Sequence, residues 1–262
     1  GAFIMNYIGI DIGSTCAKTV VLNEKKEIIQ EFVQPTGWSS VDTAEEIHQK
    51  LQLAGINLSD DSSCCVATGY GRISVPYADK TVTEITCHAL GAVHLFQQPD
   101  LTVIDIGGQD TKIIQIEQGF VKDFIMNDKC AAGTGRFLEV MANTLSLRPN
   151  EMFDLARLGS DTTISSMCTV FAESEVIGLI GKGEPKENIA YAVVNSTIRK
   201  VAAQVSRMNG EMFTFCLTGG LCECDYIREA LSKELGKDVF SCPDARYAGA
   251  IGAALSAMKV RR

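Results

Sequence analysis

Two stretches of the chain carry the same alternation of apolar and polar positions. Residues 7–12 form an apolar run closed by Asp11-Ile12-Gly13. A polar corner, Ser14-Thr15, leads to a second apolar run at 19–22, a polar turn at 23–27 and a third run at 28–33. The order recurs at 101–106, closed by Asp105-Ile106-Gly107, then at 113–116, 117–119 and 120–126. Each copy predicts strand, turn, strand, turn, strand. Asp11 and Asp105, Gly13 and Gly107, and Lys18 and Lys112 share one offset, the mark of a duplicated unit.

Around the copies, helical periodicity predicts helices over 43–53, 83–96, 135–145, 170–180, 187–208, 226–235 and 248–258, with further strands at 64–68 and 213–217. Strands interleaved with helices in two related halves predict an α/β protein of two similar lobes with a cleft between them. The lobes are expected at 5–95, completed by 247–262, and at 96–246; Gly1–Ile4 precede Met5 and are set aside.

Composition narrows the function. The 262 residues include 24 Lys+Arg and 32 Asp+Glu, a net charge of -8. That balance argues against nucleic acid, whose phosphates demand clustered cations, and against a membrane surface. No apolar run approaches the roughly 18 residues of a spanning helix, and no signal-like segment opens the chain, so a cytoplasmic location is expected. The ten cysteines are then expected to be reduced thiols, most of them small core residues.

A strand that ends in Asp-Ile-Gly places a carboxylate at its tip, and the glycine lets the following N–H groups turn outward. Two such turns offer two carboxylates for a hydrated Mg²⁺ and two sets of donors for phosphate oxygens. The chain has no Walker lysine motif, and Gly133-Thr134-Gly135 is a weak glycine signal. A third turn, Leu217-Thr218-Gly219-Gly220, lies between a strand and a helix and suits close approach of a flat ligand such as adenosine. The arrangement resembles the acetate and sugar kinase, Hsp70 chaperone and actin superfamily, with ribonuclease H-like lobes and the nucleotide between them. That resemblance implies that Asp11 and Asp105 hold the metal through waters and that Ser14 and Thr15 contact phosphate. It makes Gln109 the residue that orients the attacking water, with Gly13, Lys18, Gly107 and Gly108 in the nucleotide-binding set. Gly219 and Gly220 would flank adenosine.

Cys130 stands in a small-residue loop before one predicted helix and Cys168 before another. The positive end of a helix favours a thiolate, so each can ligate a metal, although an isolated cysteine in such a place is ordinarily a core thiol. His48, His88 and His94 show no ligand spacing, which disfavours a zinc ribbon.

The strings Asn127-Asp128-Lys129-Cys130-Ala131-Ala132-Gly133-Thr134-Gly135-Arg136-Phe137 and Cys168-Thr169-Val170-Phe171-Ala172-Glu173-Ser174-Glu175-Val176 resemble the cluster-binding segments of 2-hydroxyacyl-CoA dehydratase activators, a family grouped with the benzoyl-CoA reductase ATPase subunits. Thr68-Gly69-Tyr70-Gly71-Arg72, Cys87-His88-Ala89 and Gly249-Ala250-Ile251-Gly252-Ala253-Ala254-Leu255 extend the likeness over the chain.

The resemblance implies an oxygen-sensitive homodimer that shares one [4Fe–4S] cluster, with Cys130 and Cys168 of each subunit as ligands. It also implies ATP/ADP and Mg²⁺ as cofactors, ferredoxin or flavodoxin as electron donor, and a dehydratase or reductase component as acceptor. A sugar or carboxylate kinase of the same superfamily is the alternative, and an actin-like filament former a more distant one. Cys222 and Cys224 are expected to be inert, and His88 to be a satisfied buried histidine. Trp38 and Tyr70 are equally compatible with packing or a partner surface.

Overall fold

β1 (Asn6–Ile12) is central, and from Ile8 on every residue is buried. In a computed structural model, which describes residues 5–165, 168–210 and 213–260, it pairs antiparallel with β2 (Cys16–Leu22) and parallel with β4 (Ser63–Thr68). β3 (Ile28–Pro35) and β5 (Lys80–Thr81) complete the sheet in the order β3-β2-β1-β4-β5. Side chains alternate along a strand. Ile8, Ile10 and Ile12 meet Ile47 and Leu51 of α1 (Ser40–Leu53) on one face. Gly9 and Asp11 therefore point to the other face.

That second face holds α8 (Ala248–Val260) and α2 (Glu84–Phe96). Ala250, Ile251 and Ala254 of α8 pack on Val20 and Leu22, while Ala253 and Ala257 pack on Cys64, Val66 and Cys87. The approach is close enough to demand glycine. A Cβ at Gly9 would lie 1.8 Å from the Ala250 carbonyl oxygen, one at Gly91 1.9 Å from that of Ala248, and one at Gly252 1.7 Å from that of Cys87. Trp38, between β3 and α1, is fully exposed, and Tyr70 and Ile73 are largely exposed, so these side chains do not serve the core.

The second sheet has the order β10-β9-β6-β7-β8, from β6 (Leu101–Ile106), β7 (Thr111–Glu117), β8 (Phe120–Asn127), β9 (Thr214–Gly219) and β10 (Val239–Phe240). β6 and β7 are buried almost throughout, whereas the edge strand β8 exposes Phe120, Phe124 and Met126. With this sheet belong α3 (Gly135–Thr144), α4 (Pro149–Ala156), α5 (Thr169–Gly181), α6 (Lys186–Val205) and α7 (Asp225–Leu235). α4 has no counterpart among the predicted elements. Its cues are local: Pro149 opens the first turn, and Glu151 closes a capping box on Arg148.

The chain divides into two units, Gly1–Leu101 with Ile116–Lys122 and Asp244–Arg262, and Thr102–Gln115 with Asp123–Pro243. Ser166 and Met167, just before the second cluster-like segment, and Arg261 and Arg262 at the end of the first predicted lobe, lie outside the described residues. Among those described, no helix is long and apolar enough to cross a membrane.

Candidate functional site

The two acidic turns are built alike. In the first, the Gly13 N–H donates to the Cys16 carbonyl at 3.0 Å; in the second, the Gly107 N–H donates to that of Asp110 at 2.9 Å. Ser14, Thr15 and Gln109 are exposed on these corners, and Gly13, Lys18, Gly107 and Gly108 are half-buried. Asp11 and Asp105 sit beneath them at 6% and 3% exposure. The Thr36 hydroxyl donates to the Gly13 carbonyl at 2.7 Å and its N–H to that of Thr15 at 2.9 Å, tying the first turn to the segment before α1.

The duplication extends beyond the strings that reveal it. A Thr-Gly pair closes both β4 and β9, Gly69 just past the last residue of β4 at φ 87° and Gly219 the last residue of β9 at φ 88°, a left-handed conformation that favours glycine. A Cβ at Gly69 would lie 2.4 Å from Asp11 Oδ1 and 2.5 Å from the Ile12 carbonyl oxygen; one at Gly219 would lie 3.0 Å from Asp105 Oδ1 and 2.5 Å from that of Ile106. Each acid is thus cradled by the backbone of a neighbouring strand end. Gly220 is exposed, with nothing within 4 Å of where its Cβ would stand.

The surroundings of Asp105 are strongly polar. The Thr218 hydroxyl donates to Oδ1 at 2.8 Å, and the Lys112 ammonium lies 3.4 Å from Oδ2 and 2.7 Å from Asp110 Oδ2. Lys112 is 1% exposed, so its charge is compensated by these carboxylates rather than by water. Replacing Lys112 with Met should leave the acids uncompensated and cost about 3–5 kcal/mol in urea denaturation. Adding Asp110→Asn should recover part of that loss; a single variant as stable as the parent would contradict this account.

Of the ten free cysteines, only Cys130 and Cys168 are exposed. Burial pushes the Cys65 and Cys216 thiols far above their ordinary range and raises Cys87 to about 12, which keeps them protonated. Cys224 is half-buried and also shifted upward by burial. Cys168 is the N-cap residue of α5. Cys130 lies in the small-residue loop before α3, four residues ahead of the N-cap Thr134. The Asn127 side-chain amide holds that loop by donating to the Cys130 and Ala132 carbonyls at 3.0 and 3.1 Å. Among the described residues, no three His, Cys, Asp or Glu side chains form a group that could hold a metal ion.

The cysteine loop is bonded directly to the second acidic turn. The N–H groups of Gly135 and Arg136, at the start of α3, donate to the Gly107 and Gly108 carbonyls at 2.9 and 2.8 Å. The buried Thr111 hydroxyl donates to the Gly133 carbonyl at 2.6 Å. Helix N-terminal N–H groups have no partner within their own helix, so the turn is what satisfies them. The sequence identifies the turn and the cysteine but not this connection, because hydrogen bonds to backbone carbonyls between segments distant along the chain leave no pattern of residue types.

The BadF/BadG/BcrA/BcrD ATPase family pattern matches residues 8–257. The (R)-2-hydroxyglutaryl-CoA dehydratase activating ATPase of Acidaminococcus fermentans is 43% identical over 257 residues, covering 96% of each chain. The crystal structure of component A of (R)-2-hydroxyglutaryl-CoA dehydratase from A. fermentans matches with a TM-score of 0.90 at 40% identity, over 98% of this chain and 100% of that one. The activator of 2-hydroxyisocaproyl-CoA dehydratase from Clostridium difficile, solved with bound ADPNP, gives a TM-score of 0.89 at 34% identity, over 98% and 95%.

Proposed function

Since the chain belongs to the BadF/BadG/BcrA/BcrD ATPase family and has its α/β actin-like fold, we propose that it is an ATP-driven activator that delivers a low-potential electron to a 2-hydroxyacyl-CoA dehydratase or related reductase component. Its high identity to dehydratase activators favours this reading over a sugar or carboxylate kinase.

The observation that carries the proposal is the bonding of the Gly107-Gly108 turn to the Cys130 loop. A displacement of that turn by a nucleotide must be taken up by the loop or break its hydrogen bonds, which gives ATP a mechanical hold on whatever Cys130 binds. Asp11, with Gly13, Ser14, Thr15 and Lys18, and Asp105, with Gly107, Gly108 and Gln109, are the proposed metal and phosphate contacts, and Gly219 and Gly220 the adenosine contacts. Hard carboxylate oxygens cradled by glycine backbone suit a magnesium ion, which would neutralise phosphate charge.

Cys130 and Cys168 are the proposed cluster ligands. Their exposed thiols suit iron, and a [4Fe–4S] cluster held by them would supply one-electron redox chemistry. Four-iron clusters ordinarily take four thiolates, so two per chain call for a second copy across a two-fold axis. α5, which begins beside Cys168, exposes Val170, Phe171, Ile177 and Ile180, an apolar row suited to such a contact. Ferredoxin or flavodoxin is the proposed donor, and an oxygen-sensitive cytoplasmic homodimer the proposed form.

The test is reduction of the partner component by anaerobically prepared, reduced protein with and without ATP. Hydrolysis and electron delivery should rise together. Equal delivery without nucleotide would overturn the proposal.

A further inference from the structure

The two duplicated acids differ in where their basic neighbours come from. Asp105 has Lys112, from the strand that follows it. Lys18 stands at the same offset from Asp11 but is half-buried and makes no ion pair among the described residues. Near Asp11 the corresponding basic group comes from α2.

That group is His88, at 5% exposure. A Cβ at Gly249, in the first turn of α8, would stand 2.4 Å from Asp11 Oδ2 and 2.9 Å from His88 Cε1, so the imidazole edge and the carboxylate are neighbours across a glycine that has no side chain to part them. His88 Nδ1 lies 3.1 Å from the Glu84 carbonyl oxygen. A carbonyl only accepts, so Nδ1 carries the proton there. This contact fixes the ring on the helix; a carboxylate also only accepts, so Nε2 holds one by donating as well, with the ring as imidazolium. Gly69 crowds Oδ1 while Gly249 and His88 close on Oδ2, so both oxygens of Asp11 are confined. The adjacent Cys87 thiol stays neutral, pushed up to about 12 by burial with a further contribution from the Asp11 charge, while hydrogen bonds to Thr68 and Ser256 act in the opposite direction.

We infer that His88 is a positioning residue for Asp11, its Nε2 edge holding the carboxylate in the orientation that serves the metal of a bound nucleotide. This rests on the reading of Asp11 as a metal-ordering acid. Outer-shell partners of metal-site ligands commonly contribute about 10–100-fold in metal affinity.

The test is ADP affinity of the full chain by calorimetry, with excess Mg²⁺ and with EDTA. In the unaltered protein Mg²⁺ should tighten ADP binding, and Asp11→Asn should remove that gain. No gain in the parent, or a full gain in Asp11→Asn, overturns the premise and the inference with it. Given the premise, His88→Ala should reduce the Mg²⁺-dependent gain about 10-fold and leave the EDTA affinity unchanged. His88→Gln, whose amide reaches the Nε2 position, should restore most of the gain; His88→Asn, whose amide reaches only the Nδ1 position, should not. A full gain in His88→Ala, a parallel fall in both affinities, or rescue by Asn but not Gln overturns the inference alone. If His88→Ala fails to fold, the contrast between Gln and Asn decides.

Discussion

Alanine at either Cys130 or Cys168 should abolish the iron content and brown absorbance of anaerobically purified protein. The loss should be complete rather than partial, because in the proposed two-fold assembly the substitution is present in both chains and removes two thiolates of four. The remaining cysteines supply controls: Cys222 is buried and Cys224 half-buried, so Cys222→Ser and Cys224→Ala should keep their iron. Both proposed ligand positions are exposed, so their truncation should change folding stability by no more than about 0.5 kcal/mol, which separates loss of a cluster from loss of the fold. Full iron retention by both variants would remove the proposed ligand set, and with it the reason for a shared cluster.

Alanine at Gly252 should destabilise the first unit strongly even though alanine is the better helix former. The substitution gains about 1 kcal/mol in helix propensity. Against this, the new Cβ would stand 1.7 Å from the Cys87 carbonyl oxygen, a backbone atom that cannot rotate away. Overpacking of this kind costs about 3 kcal/mol or more, so the clash wins by roughly 2 kcal/mol. Gly178, in α5, is the matched control: it has nothing within 4 Å of its Cβ position, and Gly178→Ala should gain about 0.5–1 kcal/mol. Denaturant midpoints should move in opposite directions for the two variants. Equal midpoints would mean that α8 can shift away from α2 at little cost.

Much of this architecture is legible in the chain because its signals are local. The repeated Asp-Ile-Gly turns declare the duplication, and the runs of alternating apolar residues place β1, β2, β6 and β7. What escapes depends on contacts distant in sequence. The Thr-Gly ends of β4 and β9 are equivalent, yet Thr218 comes 113 residues after Asp105, with α3 to α6 between, so no fixed period marks the pair. Lys112 can be read as part of the repeat, but its burial cannot, because that depends on Asp110 and Asp105 folding around it. His88 reads as a satisfied core histidine until α8 brings Gly249 beside it. α4 escapes for a different reason: its apolar positions, Met152, Phe153 and Ala156, cover too few turns to establish a helical period.

Trp38 is the sole tryptophan of the chain and stands fully in water, two residues beyond Thr36, which holds the first acidic turn by two hydrogen bonds. The molecule therefore carries a native fluorophore close in sequence to one of its two acidic turns. Its emission requires no label or engineered mutation, and it can follow that turn in real time.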